Sequence, residues 1–235
     1  IYPRSFMDSN GDGIGDIPGI ISKLDYIASL GVDVIWLSPV YASPNEDNGY
    51  DISDYYSIHP DFGTMADFDS LVAEADKRGI KIIMDLVINH TSSEHEWFQK
   101  SRRGIEPYKD YYYWSDSWPG TPNNWTGFFG GGTWEYDEER KASYLHLFAP
   151  HQPDLNYHNP LVWEDIGKIW LEKGVKGFRC DVINILYKDS LENGKKKLIL
   201  TGSEHYLTLD GTHEILKKIN QILSPYDAFT VGETV

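Results

Sequence analysis

Two acidic residues stand in this sequence where an apolar strand would not ordinarily hold them. The run GVKGFRCDVINIL (174–186) places Arg179 and Asp181 inside a hydrophobic stretch, and the run FTVGE (229–233) closes on Glu233. A buried carboxylate is costly unless it is paired or put to use. On an extended strand, residues two apart leave the same face, so Arg179 can lie beside Asp181 and hold it ionised. A purely structural ion pair has the same signature, and so the neighbouring strands must decide between the two. Asp85, Asn89 and His90 lie at the end of KIIMDLVI (81–88), and Asp47 and Tyr50 follow DVIWLSPV (33–40). A lone strand-end histidine is commonly a satisfied core or surface residue, but here polar residues gather at the ends of four successive runs.

These four runs do not alternate polar and apolar positions, the pattern of strands buried on both faces of a parallel sheet. Helical spacing of apolar residues predicts helices over 19–31, 66–79, 159–174 and 213–224, the first three ending in Gly. Strand and helix therefore alternate, which means a wound sheet or a barrel. Side chains at the C-terminal ends of parallel strands are where a (β/α) barrel builds its active site, and Asp181 reads as a site residue on that ground. The pattern breaks between about residues 89 and 157, where no helix is evident and aromatic, Pro-Gly and Gly-rich segments suggest a small irregular β insertion.

Composition narrows the partners. The 235 residues carry a formal charge of -15, which argues against nucleic acid or an anionic membrane as partner, and no apolar run approaches the roughly 18 residues of a membrane span. The single cysteine, Cys180, rules out an internal disulfide framework and favours a reducing compartment, so the expected location is cytoplasmic. The chain opens on Ile1 and stops at VGETV, and both ends read as cut.

Taken in order, DLVINH (85–90), QPDLN (152–156), GFRCDVIN (177–184) and VGE (231–233) resemble segments of the α-amylase superfamily of retaining glycoside hydrolases. IYPRSF, DSNGDGIGD and DNGYDISDY narrow the resemblance to its oligo-1,6-glucosidase and α-glucosidase branch. The resemblance implies a (β/α)8 TIM barrel, domain A, interrupted after strand 3 by a domain B. It divides the chain into 1–88 (barrel), 89–157 (domain B) and 158–235 (barrel resumed), covering about the first five strands. It also implies roles: Asp181 as nucleophile, Glu233 as acid/base, and Asp47, Tyr50, His90 and Arg179 as contacts to the sugar. Val182, next to the nucleophile, would mark a preference for α-1,6 over α-1,4 linkages; the alternative is a strand residue with no view of substrate. A third carboxylate of the family pattern, following strand 7, is expected beyond residue 235, so the segment by itself is expected to be inactive.

The chemistry agrees with these roles. Retaining hydrolysis needs two carboxyls about 5–5.5 Å apart, one attacking the anomeric carbon and one protonating the leaving oxygen. The protonated partner, Glu233, needs a raised pKa. Most aromatic residues belong to the core, but Trp125, Phe128, Phe129 and Trp134 are candidates for stacking on a sugar ring.

DSNGDGIGD (8–16) is a separate constellation. Asp8, Asn10, Asp12 and Asp16 fall at positions 1, 3, 5 and 9 of an EF-hand-type loop, with Gly13 at position 6 and the Ile14 carbonyl at position 7. Position 12 is Gly19 rather than Glu, so the expectation is one structural calcium ion, with magnesium the alternative, and no sensor role. An acidic turn that caps the next helix is the plainer reading. The expected function is therefore release of glucose from the non-reducing end of short α-1,6-linked glucans by a protein that is a monomer when complete. Alternatives are an α-1,4-glucosidase, a trehalose-6-phosphate hydrolase, a sucrose isomerase, or a non-catalytic amylase-like binding domain of the transporter heavy-chain type.

Overall fold

The computed structural model describes residues 1–117, 119–164 and 169–235. Its strands are β1 (Val34–Trp36), β2 (Tyr41–Ala42), β3 (Asp54–Ile58), β4 (Lys81–Leu86), β5 (Trp114–Ser115), β6 (Trp134–Asp137), β7 (Ala142–Leu145), β8 (Gly177–Cys180) and β9 (Phe229–Gly232). The helices are α1 (Pro3–Phe6), α2 (Ile17–Ser22), α3 (Leu24–Ser29), α4 (Met65–Asp76), α5 (Glu96–Arg102), α6 (Leu161–Glu164), α7 (Ile169–Glu172) and α8 (Asp210–Leu223).

The four expected apolar strands are present, each shorter than its apolar run, and they form one parallel sheet in the order β1-β4-β8-β9. Spatial order follows chain order without reversal. A doubly wound sheet reverses at a switch point, so the sheet is a section of barrel wall. Ile1 extends it at the β1 side, donating its amine to the Trp36 carbonyl and accepting from Ser38 N–H.

Helices form where caps and an apolar stripe agree. Thr64 and Asp67 make a reciprocal capping box that starts α4, whose Phe68, Leu71 and Ala75 face the core. In α8, Thr212, Ile215, Ile219 and Leu223 form a buried stripe at spacings of three and four. The single helix expected over 19–31 is two helices, α2 and α3, meeting at Lys23. There the Ser22 hydroxyl bonds back to the Gly19 carbonyl, and Lys23 N–H closes a short turn on Ile20. Of the helix expected over 159–174, α6 and α7 are seen, and residues 165–168 lie outside the described residues.

Residues 89–157 hold the three-stranded antiparallel sheet β5-β7-β6. They also contain a helix that periodicity does not reveal: α5 is short and buries the adjacent Trp97 and Phe98 together with Ser101, while the His95 ring caps its start. The segment 187–208, between β8 and α8, folds against this sheet. Asn123, Asn124 and Trp125 side chains donate to the carbonyls of Leu191, Gly194 and Glu192, and Thr126 N–H donates to the Thr201 carbonyl. A second apolar core, which includes Tyr113, Trp125, Leu147, Val182, Ile185 and Tyr206, fills the junction.

Gly177 opens β8 with φ 153°, and a Cβ there would lie 1.9 Å from the Phe229 carbonyl oxygen of β9. Only glycine lets these strands approach closely enough to keep Asp181 and Glu233 level. Gly177→Ala is expected to cost roughly 3 kcal/mol, from overpacking and the unfavourable φ together. The loss should appear as a lower denaturation midpoint with an unchanged m-value.

Candidate active site

Strand register brings the ionisable groups together. Asp85 of β4 and Arg179 of β8 are direct partners across the parallel pair, so their side chains leave the same face. Asp181 follows two residues after Arg179. Beyond β9 the ladder runs one residue further: Glu233 N–H donates to the Cys180 carbonyl and Ile183 N–H donates to the Glu233 carbonyl, which places Glu233 level with Asp181.

One guanidinium serves three carboxylates. Arg179 Nη1 lies 3.0 Å from each Asp85 oxygen and 2.6 Å from Asp181 Oδ1, and Nη2 lies 2.6 Å from Glu233 Oε1. The guanidinium also lies against aromatic faces, 4.9 Å from the centre of the Trp36 ring and 5.9 Å from that of Tyr50. Tyr50 OH donates to Asp85 Oδ2 at 3.1 Å, and the buried Tyr41 hydroxyl donates to the Asp85 carbonyl at 2.7 Å.

This sharing changes the electrostatics expected from sequence. Burial pushes Asp85 up to about 6 against the pull of Arg179. Burial, and then the Asp85 charge, push Asp181 up to about 8, although Arg179 pulls it down. Arg179 therefore does not hold Asp181 firmly ionised, because burial and the neighbouring Asp85 charge outweigh its pull.

Tyr50 joins this cluster to a second one. Its carbonyl lies 3.0 Å from His90 Nε2, and Gln152 Nε2 donates to Asp47 Oδ2 at 2.8 Å while lying 3.2 Å from the same imidazole nitrogen. Phe148 packs on His90 with ring centres 5.1 Å apart. Asp47, Tyr50, His90, Arg179, Asp181 and Glu233 thus form one connected network.

Val182 has a backbone conformation that an apolar strand run does not announce. It lies just past β8 in the left-handed region, φ 38° and ψ 42°, an unusual conformation for a β-branched residue. Its side chain is buried in the second core, while its N–H donates to Glu233 Oε2 at 3.3 Å. The aromatic candidates divide similarly. Trp125 is buried against His205, Phe128 stacks on Phe148, and the Trp134 indole donates to Asn123; only Phe129 is well exposed.

In the 8–16 loop the side-chain oxygens organise the backbone. Asp8 accepts from the N–H groups of Asn10, Gly11 and Gly13, which holds its carboxyl below the usual range; Asn10 accepts from Asp12, and Asp12 from Ile14. Asp16 accepts from Ser9 and caps α2 through Gly19. The helix-capping reading is thus realised at Asp16. Among the described residues no three His, Cys, Asp or Glu side chains converge as a metal cluster.

Sequence reasoning left several participants unassigned: Trp36, Asp85, Phe148, Gln152, Asp154 and Lys188. Asp85 carried a usable signal, since a carboxylate inside KIIMDL is as anomalous as Asp181 in its own strand.

A strand-end cluster of this kind on a barrel wall defines a class, and comparison with known proteins places the chain within it. The family described as alpha amylase, catalytic domain, matches residues 1–235, and the chain belongs to that family. It is 56% identical to an oligo-1,6-glucosidase of Parageobacillus thermoglucosidasius, covering 100% of this chain and 43% of that protein. It is 53% identical to an oligo-1,6-glucosidase of Bacillus cereus, over 99% of this chain and 43% of that one. A crystal structure of Bacillus licheniformis trehalose-6-phosphate hydrolase superposes with a TM-score of 0.95 at 50% identity, covering 100% of this chain and 43% of its own. The chain therefore spans less than half the length of these relatives.

The raised pKa of Asp181 has a stability consequence. In the unfolded chain the carboxyl ionises near pH 4, whereas in the folded one it keeps its proton until about pH 8, so ionisation favours unfolding across that interval. Asn cannot ionise. The melting temperature of Asp181→Asn relative to wild type should rise steadily between about pH 4 and pH 8 and level off above. A difference that is flat with pH would contradict the assignment.

Proposed function

We propose that this chain supplies the nucleophile and the acid/base of a retaining α-glucosidase whose preferred substrates are short α-1,6-linked gluco-oligosaccharides. The observation that carries the proposal is the convergence of Asp181 and Glu233 on opposite nitrogens of Arg179 at the ends of adjacent parallel strands. In its ionised form Asp181 would attack the anomeric carbon while Glu233 protonates the departing glycosidic oxygen. Glu233 would then take a proton from the water that releases the glucosyl group from Asp181, so configuration is retained over two inversions. Asp47, Tyr50 and His90 would bind the hydroxyls of the terminal sugar. The α-1,6 preference is supported by relatives at 53–56% identity that are named oligo-1,6-glucosidases. The reading places the enzyme in the cytoplasm as a monomer. It is in keeping with a chain in which no helix among the described residues is long and apolar enough to cross a membrane.

The test is kcat/KM of the complete protein on isomaltose, maltose, sucrose and trehalose 6-phosphate, with the anomer first released followed by proton NMR. Isomaltose is expected to be the best substrate, with α-glucose appearing first. Asp181→Asn should lower turnover by about 10^4-fold or more, the scale of losing a catalytic nucleophile. Preference for another of these substrates would replace the linkage assignment, and undiminished turnover in Asp181→Asn would remove the mechanism.

The 8–16 loop is proposed to hold one structural calcium ion through Asp8, Asn10, Asp12, Asp16 and the Ile14 carbonyl, an all-oxygen donor set that suits a hard cation. Its backbone is already curled by these same side chains, so binding would require their remaining oxygen lone pairs to turn inward. An ion bound only to the folded state stabilises it, by about 2.7 kcal/mol at a hundredfold excess over Kd. The melting temperature should rise with calcium and lose that response in Asp12→Ala. A melting temperature indifferent to calcium and to chelator would leave the loop as a helix cap only.

A further inference from the structure

Behind the sugar-contact network lie buried polar groups that its chemistry does not require. Lys188 is 1% exposed, and Asp154 and Asn89 are 0% exposed. The Lys188 ammonium is 2.7 Å from Asp154 Oδ2, 3.0 Å from Asn89 Oδ1 and 3.5 Å from the Leu186 carbonyl. Removing two such charges from water costs several kcal/mol per ion before their attraction is counted, and an apolar pair of similar volume often stabilises a fold as well or better. Stability alone is a poor reason for this arrangement; orientation of the groups around it is a better one.

The orientation follows from donor and acceptor inventories. An ammonium only donates, so the Asn89 atom that faces Lys188 is its oxygen. The carboxamide nitrogen is thereby fixed on the other side, 3.1 Å from Asp154 Oδ2 and 3.2 Å from His90 Nδ1. Asp154 is itself pinned, since its other oxygen accepts the Leu147 N–H at 2.9 Å. A donor aimed at Nδ1 requires that nitrogen to be unprotonated. The proton of a neutral ring then sits on Nε2, 3.0 Å from the Tyr50 carbonyl, which can only accept. Burial lowers the pKa of His90 and so favours the neutral ring. The Gln152 amide does not compete for Nε2. Its oxygen accepts from Ala149 N–H at 3.2 Å and its nitrogen is directed to Asp47, so its approach to the imidazole is a contact between two donors.

We infer that Lys188 and Asp154 are positioning residues which, through the carboxamide of Asn89, hold His90 as its neutral Nε2–H tautomer with that N–H directed at the Tyr50 carbonyl. The consequence reaches the catalytic cluster, because the same Tyr50 donates its hydroxyl to Asp85 beside Arg179. Lys188 thus acts on the site from a fully buried position without touching it. The consequence for turnover rests on the glucosidase reading above, whereas the tautomer does not.

The test is proton–nitrogen correlation NMR on the complete protein labelled with 15N-histidine, with the His90 signals identified by their loss in His90→Gln. Wild type should show a pyridine-like Nδ1 and a pyrrole-like Nε2 for His90. Lys188→Met removes one of the two anchors of the Asn89 amide, since Asp154 still accepts from its nitrogen, and Lys188→Met/Asp154→Leu removes both. In the double variant the amide is free to turn and the other tautomer should become populated, with kcat/KM on isomaltose reduced about 10–100-fold, the range typical of groups that orient a ligand-binding histidine. Because the single variant also leaves Asp154 buried without its partner, the double variant carries the test and should fold. A wild-type His90 protonated on Nδ1 overturns the inference. So does a folded double variant that keeps the wild-type tautomer, whatever its melting temperature, since that is the behaviour of a merely structural ion pair. If neither variant folds, the wild-type tautomer decides. A wild-type protein with the Nε2–H tautomer but no glucosidase activity would remove the functional reading and leave the positioning role standing.

Discussion

The division of one positive charge among three carboxylates is the constraint on which the rest of this site depends. Arg179 reaches Asp85, Asp181 and Glu233 because β4, β8 and β9 are adjacent, parallel and in register. A slip of one residue in either pair would send a side chain to the other face of the sheet. The site is thus a direct expression of strand register, and register in turn rests on close packing between β8 and β9 at Gly177. The arrangement keeps an acidic excess around one guanidinium, with Asp85 and Asp181 buried. Such an excess opposes folding, yet it leaves the acids electrostatically sensitive to whatever ligand or charge enters, the stored strain typical of functional sites.

Around this hub the molecule is organised as two cores with a polar seam. The larger packs α4, α8 and their neighbours on the barrel wall, and the smaller fills the junction of the β5-β7-β6 sheet with the segment 187–208. The seam contains Asp47, His90, Gln152, Asn89, Asp154 and Lys188, contributed by strand ends on one side and by the insertion and the 187–208 segment on the other. Polar groups buried at such a junction fix relative position more sharply than apolar contacts do, because each donor must find its acceptor. The left-handed backbone at Val182 belongs to the same economy: it turns the chain from β8 towards the second core within one residue and directs an amide at Glu233.

Much of this was legible in the sequence, and the reasons are specific. Unalternating apolar runs gave the four parallel strands, and carboxylates inside or at the end of such runs gave Asp181 and Glu233. The reading failed where tertiary contacts override local pattern. The helix over 19–31 broke because Ser22 and Lys23 found local backbone partners, and α5 went unseen because its buried face is two adjacent aromatics rather than a stripe. Val182 reads as a strand residue by composition, and only the turn into the second core shows otherwise. Lys188 and Asp154 lie 34 residues apart in sequence with no periodic relation, so their pairing becomes visible only once the insertion is folded. Asp85 was placed among the strand-end polar residues but given no role, and its position inside an apolar run was the signal for one.

The way the insertion grips the 187–208 segment sets where this protein can change. Asn123, Asn124 and Trp125 hold main-chain carbonyls of residues 191–194, and Asn124 also accepts the Gly194 N–H. Main-chain groups are present whatever the amino acid, so these bonds set no requirement on side chains, which are constrained here by packing instead: a Cβ at Gly194 would lie 2.3 Å from Gly202, and Leu191 packs on the second core. Leu198 and Ile199, a few residues on, project almost wholly into solvent. Around Leu198 and Ile199 the sequence is therefore free to drift while the backbone on either side stays anchored, so side chains there can change without the segment having to refold.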